Sequence, residues 1–199
     1  MILYIGRSIP LLLYLDLHNN KMGDEGARLI AELLKTNTSL IYLDLAMNNI
    51  SNEGARAVIE ALRKNINITD LDLGQNNIDH ENMEIIEGYL QRNKSFIEEQ
   101  NIFQTIVEDI NTKIVDSKTI NDNDKPMMQD LIKNVAHKGE ALIYKAGIEQ
   151  ITNYMQELLS KSKITKGNII DLADQLNEVI DYQNINYDAI ILGVDSAFM

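Results

Sequence analysis

The chain of 199 residues carries 30 acidic against 18 basic side chains, a net charge of −12, and it contains no cysteine. That balance argues against a nucleic-acid partner, because phosphate-backbone binding needs a concentrated Lys/Arg face. The missing cysteines remove disulfides, thiolate metal sites and a thiol nucleophile, and fit a reducing, cytoplasmic setting, with secretion as an effector by a dedicated system left open.

The opening MILYIGRSIPLLLYL has the apolar look of a leader, but Arg7 and Pro10 interrupt the run and its end already belongs to a repeat. No other apolar run approaches the roughly 20 residues a membrane span needs. Ile2, Leu3, Ile5 and Ile9 do not make an amphipathic capping helix, although the first layer of a repeat array needs a cover. Two readings stay open: the chain is the end of a longer array, or a short apolar strand covers the first layer itself.

From Leu12 to Phe96 one pattern is written three times, as LLYLDLHNNKM, LIYLDLAMNNI and ITDLDLGQNNI, with Asp16, Asp44 and Asp72 marking a 28-residue period. The segments between repeat in the same register: GDEGARLIAELLKTN, SNEGARAVIEALRKN and DHENMEIIEGYLQRN. Alternation places Leu15 and Leu17, Leu43 and Leu45, Leu71 and Leu73 on the inner side of short parallel strands. Asn20, Asn48 and Asn76 follow at the bend, where an amide side chain can serve backbone groups the turn would otherwise strand. Gly23, Ser51 and Asp79 are the expected helix N-caps, and Met22, Ile50 and Ile78 stand five residues before Ala27, Ala55 and Met83, at hydrophobic-staple spacing. The helices present Ile30 and Leu34, Val58 and Leu62, Ile86 and Leu90 inward. Asn37, Asn65 and Asn93 are expected to end them, as residues that tolerate a left-handed conformation.

The pattern LxxLxLxxN is filled at every fixed position: Leu12, Leu15, Leu17 and Asn20, then Leu40, Leu43, Leu45 and Asn48, then Ile68, Leu71, Leu73 and Asn76. It resembles the leucine-rich repeat family, in particular the ribonuclease-inhibitor-like subtype, over slightly under half of the chain. The resemblance implies an α/β solenoid of parallel strands with helices on the convex side, and protein binding as the usual activity. The fold is a scaffold, so it does not by itself name a function.

A fourth copy fails, since Glu99 stands where a core leucine is required. Residues 1–96 are therefore expected to form the repeat solenoid with a short N-terminal segment, and 97–199 an all-α bundle that caps it. One helix of that bundle carries Ile102, Phe103, Ile106, Val107, Ile110 and Ile114 on one face. A second follows the polar linker, with Pro126 in its first turn and Leu131, Ile132 and Val135 inward. A third carries Leu142, Ile148, Ile151, Met155, Leu158 and Leu159, with Gly139 or Gly147 as its break. A fourth carries Leu172, Ala173, Leu176, Val179 and Ile180. Tyr187 to Met199 reads equally as short helix or strand. No family resemblance attaches to this half.

Asp16, Asp44 and Asp72 place one outward carboxylate on each of three strands about 4.8 Å apart. Such a row suits a basic side chain or a cation, and it is equally a habit of sequences with this repeat. Around it lie Tyr14, His18, Tyr42, Ala46, Met47, Asp70, Gly74 and Gln75. Tyr14 and Tyr42 beside the aspartates make an interface-like patch, or reflect β propensity alone. No Lys or Arg occupies an exposed strand position to neutralise the carboxylates. His18, His80 and His137 fall in separate environments and give no metal site. No nucleophile elbow, phosphate loop or dinucleotide fingerprint is present, so neither catalytic residues nor a cofactor are expected.

The leading functional reading is a non-enzymatic protein-binding module. Its strand face, through Tyr14, Asp16, His18, Tyr42, Asp44, Met47, Asp70, Asp72 and Gln75, takes a basic protein partner; the helical half adds a second surface, and the N-terminal end is open to self-association. The competing class is an enzyme or enzyme activator carried by the helical half, such as a GTPase activator using Arg28, Arg56 or Arg63. Ubiquitin-ligase chemistry of the kind some bacterial repeat proteins carry would need a cysteine.

Overall fold

The computed structural model describes residues 12–139, 142 and 145–185. The readings of the opening segment and of 187–199 lie outside them. The elements run β1 (Tyr14–Asp16), α1 (Gly23–Leu34), β2 (Tyr42–Asp44), α2 (Asn52–Leu62), β3 (Asp70–Asp72), α3 (His80–Asp116), α4 (Lys125–Gly139), α5 (Lys145–Ser160) and α6 (Lys166–Ile185). They fall into two units, 1–94 and 95–199.

In the first unit the strands form one parallel sheet in the order β1-β2-β3. Leu15 pairs with Leu43 and Leu43 with Leu71, so the register advances by one whole repeat at each step. Parallel neighbours need a crossover of a dozen or more residues, and here α1 and α2 supply it. Leu43, Leu45, Leu34, Val58 and Leu62 are fully buried, as are Ala27 and Ala55 at the staple positions. Each buried leucine or valine contributes about 1.5–3 kcal/mol relative to exposure. Leu12 is instead 52% exposed, while Leu40 and Ile68 at the same place in the next repeats are buried. The later two each have the preceding repeat of the sheet paired beside them.

Two ladders of asparagines join the layers. In the strand-end ladder, Asn48 Oδ1 accepts from the backbone N–H of Asn20 (2.9 Å) and Met22 (3.4 Å), while its Nδ2 donates to Leu17 O (2.8 Å) and Ala46 O (3.1 Å). Asn76 repeats this one layer on, accepting from Asn48 N and Ile50 N and donating to Leu45 O and Leu73 O. The bends around them need left-handed residues, and Asn19, Lys21, Met47, Asn49 and Gln75 all have φ between 54° and 60°.

The second ladder corrects the expectation for the helix ends. Asn37 and Asn65 lie beyond α1 and α2 and are not left-handed. Asn37 Oδ1 accepts from Ser39 N and Leu40 N, and Asn65 Oδ1 from Asn67 N and Ile68 N, which starts the approach to the next strand. Asn65 Nδ2 donates back to Leu34 O and Asn37 O. Asn93 does not end a helix at all: α3 continues from the third repeat to Asp116. The side chain of Asn93 still performs the ladder task from within the helix, donating to Asn65 O and Ile68 O, so its repeat role does not require the helix to stop. Beside it, the Arg92 guanidinium donates to the carbonyls of Leu62, Arg63 and Asn65, satisfying the C-terminal end of α2.

The N-caps also differ in detail. Ser51 and Asp79 cap as expected, accepting from Glu53 N and Asn82 N. Gly23 does not: it is the first residue of α1, its φ is +61°, and the preceding Met22 makes no side-chain cap. With no side chain Gly23 has nothing to offer, and Asp24 works across the layers instead, accepting from Ser51 N, Ser51 Oγ and Gly54 N. Its carboxyl is held below the usual value, first by the Ser51 hydroxyl and then by the Ser51 backbone.

The second unit is helical. Phe103, Ile106, Val107, Ile110 and Ile114 of α3 form a core with Ile132, Val135, Ile151, Met155, Leu172 and Leu176. Ile102 departs from the expected face and is 44% exposed; it precedes Phe103 on the helix, and the buried stripe runs through Phe103, Ile106–Val107, Ile110 and Ile114 at helical spacing. Helices α4 and α5 both pack on α6. Gly139 is buried where a Cβ would collide with the Phe103 ring, which explains a glycine at the end of α4.

Candidate functional site: the exposed strand face

The pairing places two rows across the sheet. Tyr14, Tyr42 and Asp70 are in register, and so are Asp16, Asp44 and Asp72. The Tyr14 and Tyr42 rings stand 6.1 Å apart and tilted by 37°, with Tyr14 67% exposed. His18, Met47 and Gln75 are not on the strands. They sit in the turns that follow, Met47 and Gln75 in left-handed conformation, so they border the face at its end.

Each aspartate of the row has a local task. Asp16 Oδ1 accepts from His18 N (2.9 Å), Asp44 Oδ1 from Ala46 N (2.8 Å) and Asp72 Oδ1 from Gly74 N (2.8 Å). This is the side-chain-to-backbone turn in which aspartate mimics a peptide carbonyl. It gives a structural reason for aspartate at all three positions and leaves Oδ2 of each without a hydrogen bond among the described residues, with Asp16 and Asp72 exposed and Asp44 half-buried. The His18 ring lies near Asp16, with Nδ1 3.6 Å from Oδ1.

No strand position supplies a cation, but Asp70 is neutralised from elsewhere in the chain. Lys94 reaches it from α3, with Nζ 3.0 Å from Oδ1, and the Thr69 hydroxyl donates to Oδ2. Both hold the Asp70 carboxyl below its usual value, Lys94 more strongly. The strand pattern held no sign of this, because the cation arrives from the following helix, off the period of the repeat. The Tyr42 hydroxyl senses the remaining field. It is pushed up, first by burial and then by the charges of Asp44, Asp72, Asp16 and Asp70. On the β3 side the face deepens into an open hollow of about 350 Å³, walled by Tyr42, Asp70, Leu71, Asp72 and Met83.

The arginines considered for an activator role are engaged elsewhere: Arg28 pairs with Glu53 at 3.1 Å and Arg63 with Glu60 at 3.1 Å. The Asp79 carboxyl is held below its usual value first by the Asn82 backbone N–H, and Arg56 on α2 adds the smallest contribution. Among the described residues no group of three or more His, Asp or Glu is placed to hold a metal ion. No helix among them is long and apolar enough to cross a membrane.

A three-stranded parallel sheet whose strands, asparagine ladders and helices recur with one period is a repeat architecture of the leucine-rich kind. Residues 9–31 and 36–58 match the leucine rich repeat family, so this segment is a leucine-rich repeat segment. The C-terminal region has no family match. No curated protein and no solved structure matched the chain.

Proposed function

We propose that the chain is a protein-interaction module whose exposed strand face docks a partner through a Lys- or Arg-bearing segment. The observation that carries this reading is the Asp16–Asp44–Asp72 row, in which each carboxylate spends one oxygen on its own turn and has no hydrogen bond at the other among the described residues. Neighbours about 5 Å apart repel by roughly 1 kcal/mol in a water-like dielectric, and an ammonium or guanidinium between them relieves that while gaining charge-assisted hydrogen bonds. Tyr14 and Tyr42 add amphipathic area beside the row, and Lys94 pairs with Asp70 rather than with the row itself. In this reading the repeats stack as a solenoid, and the helices of the second unit form a bundle with a separate interaction surface.

The test is a double substitution, Asp44→Asn with Asp72→Asn. Asparagine keeps the Oδ1 acceptor each turn needs, so the fold is retained. Exposed pairs are worth about 0.2–1 kcal/mol each, so loss of two weakens binding of an oligolysine peptide by up to about thirtyfold at low salt. Equal binding by the parent and the double variant, with the same salt dependence, overturns the reading.

Self-association through the first repeat is favoured by a separate observation. Leu29 and Leu33 of α1 are 68% and 42% exposed, whereas Ala61, one repeat after Leu33, is fully buried, and Ala57, one repeat after Leu29, is partly buried in the core. Large apolar side chains thus stand on the outer layer where the next repeat has small, covered ones.

A further inference from the structure

In a chain of net charge −12 the lysines are unevenly spread, and the stretches DSKTINDNDK and SKSKITKG hold five of them. The first spans the connection from α3 to α4 and the second that from α5 to α6. Lys113, in the last turn of α3, ties them together by donating to the carbonyls of Leu159 and Lys161 at the end of α5. Two adjoining hollows open between the connections, of about 440 and 250 Å³, and share Thr119, Lys163 and Ile164 as walls. Together their linings hold four lysines, Lys113, Lys118, Lys163 and Lys166, against two carboxylates, Asp116 and Asp124.

The rim lysines have partners: Lys125 pairs with Asp122 at 3.2 Å and Lys161 with Glu157 at 3.7 Å. Lys118, Lys163 and Lys166 are exposed and make no ion pair with any described residue. Uncompensated ammonium groups around the two adjoining hollows, Lys118 and Lys163 at the larger and Lys163 and Lys166 at the smaller, repel each other, and an anion placed among them removes that cost. Lysine offers a point charge with three rotatable donors and suits a phosphate approached from several directions. Neutral donors stand with them, since Ser117 and Ser162 line the larger hollow and Thr165 the smaller. Lys166 is also the first residue of α6, so the N-terminus of a 20-residue helix, its positive end, borders the smaller hollow. At about 30 Å³ per water in the liquid, the larger hollow has room for more than a lone oxyanion.

We propose that this end of the helical unit binds a small molecule carrying two or more phosphate groups, with Lys118 and Lys163 as its principal charge contacts. The site is independent of the strand face and opposite to it in sign.

The full chain is titrated calorimetrically with inorganic tripolyphosphate at constant ionic strength, alongside sulfate and a short single-stranded RNA. Tripolyphosphate binds more tightly than sulfate, and Lys118→Gln with Lys163→Gln lowers its affinity tenfold or more. Both side chains are exposed, so the unliganded double variant melts with the parent, and Lys64→Gln in the repeat unit leaves binding unchanged. Equal affinity of parent and double variant overturns the proposal, as does tripolyphosphate binding no tighter than sulfate. RNA binding more tightly than tripolyphosphate through the same two lysines overturns the small-molecule assignment.

Discussion

Replacing Asn48 by alanine tests the ladder that joins the repeats. Its side chain is fully buried and makes four hydrogen bonds, accepting from Asn20 N and Met22 N and donating to Leu17 O and Ala46 O. A hydrogen bond contributes about 1 kcal/mol net, and a buried group left without a partner costs about 1–3 kcal/mol. The contact to Met22 N is long, at 3.4 Å, so three full bonds are the safer count. Asn48→Ala is therefore expected to cost about 3–5 kcal/mol, a large share of the 5–15 kcal/mol typical of a domain. Asn20→Ala is the internal control. It occupies the same place in the first repeat but is exposed, and it donates to Leu17 O and His18 O with water at hand, so about 1 kcal/mol is expected. Urea unfolding followed by circular dichroism, with midpoints compared at equal slope, reads both. If the two variants lose the same stability, or Asn48→Ala loses less than about 1 kcal/mol, the ladder is not what joins the layers.

Acid should act on the repeat unit through Asp24. Its folded-state value is depressed, first by the Ser51 hydroxyl, so its contribution is full above the unfolded value of about 3.9 and is lost as pH falls through the lower folded value. Asp24→Asn should flatten part of the acid limb of a stability–pH profile, while Asp70 and Asp79, also lowered, keep the remainder; an unchanged limb refutes this. For the first layer, light scattering across a dilution series should show mass falling with concentration in the parent and a constant monomer mass for Leu29→Glu with Leu33→Glu. A parent that is strictly monomeric at high concentration refutes self-association.

The repeat half was legible in the sequence because its forces are local and periodic. The equal spacing of Leu15, Leu43 and Leu71 leaves a parallel register as the way to stack like on like, and the structure pairs those residues. The strand-face rows at Tyr14, Tyr42 and Asp70 and at Asp16, Asp44 and Asp72 follow from alternation alone. What escaped the sequence depends on groups brought together from outside the period. The reach of Lys94 to Asp70 and the capping of α2 by Arg92 come from a helix whose own ladder residue, Asn93, gave no sign that the helix would continue. Equally, the left-handed bends at Met47 and Gln75 carry side chains that do not announce them. The lysine-lined hollows are the extreme case. Lys118 and Lys163 stand far apart along a chain whose bulk charge points the other way, and only the packing of α3 to α6 sets their connections side by side. Composition averages charge over the whole chain, whereas a ligand meets the charge within a Debye length of about 10 Å, and that is decided by tertiary structure.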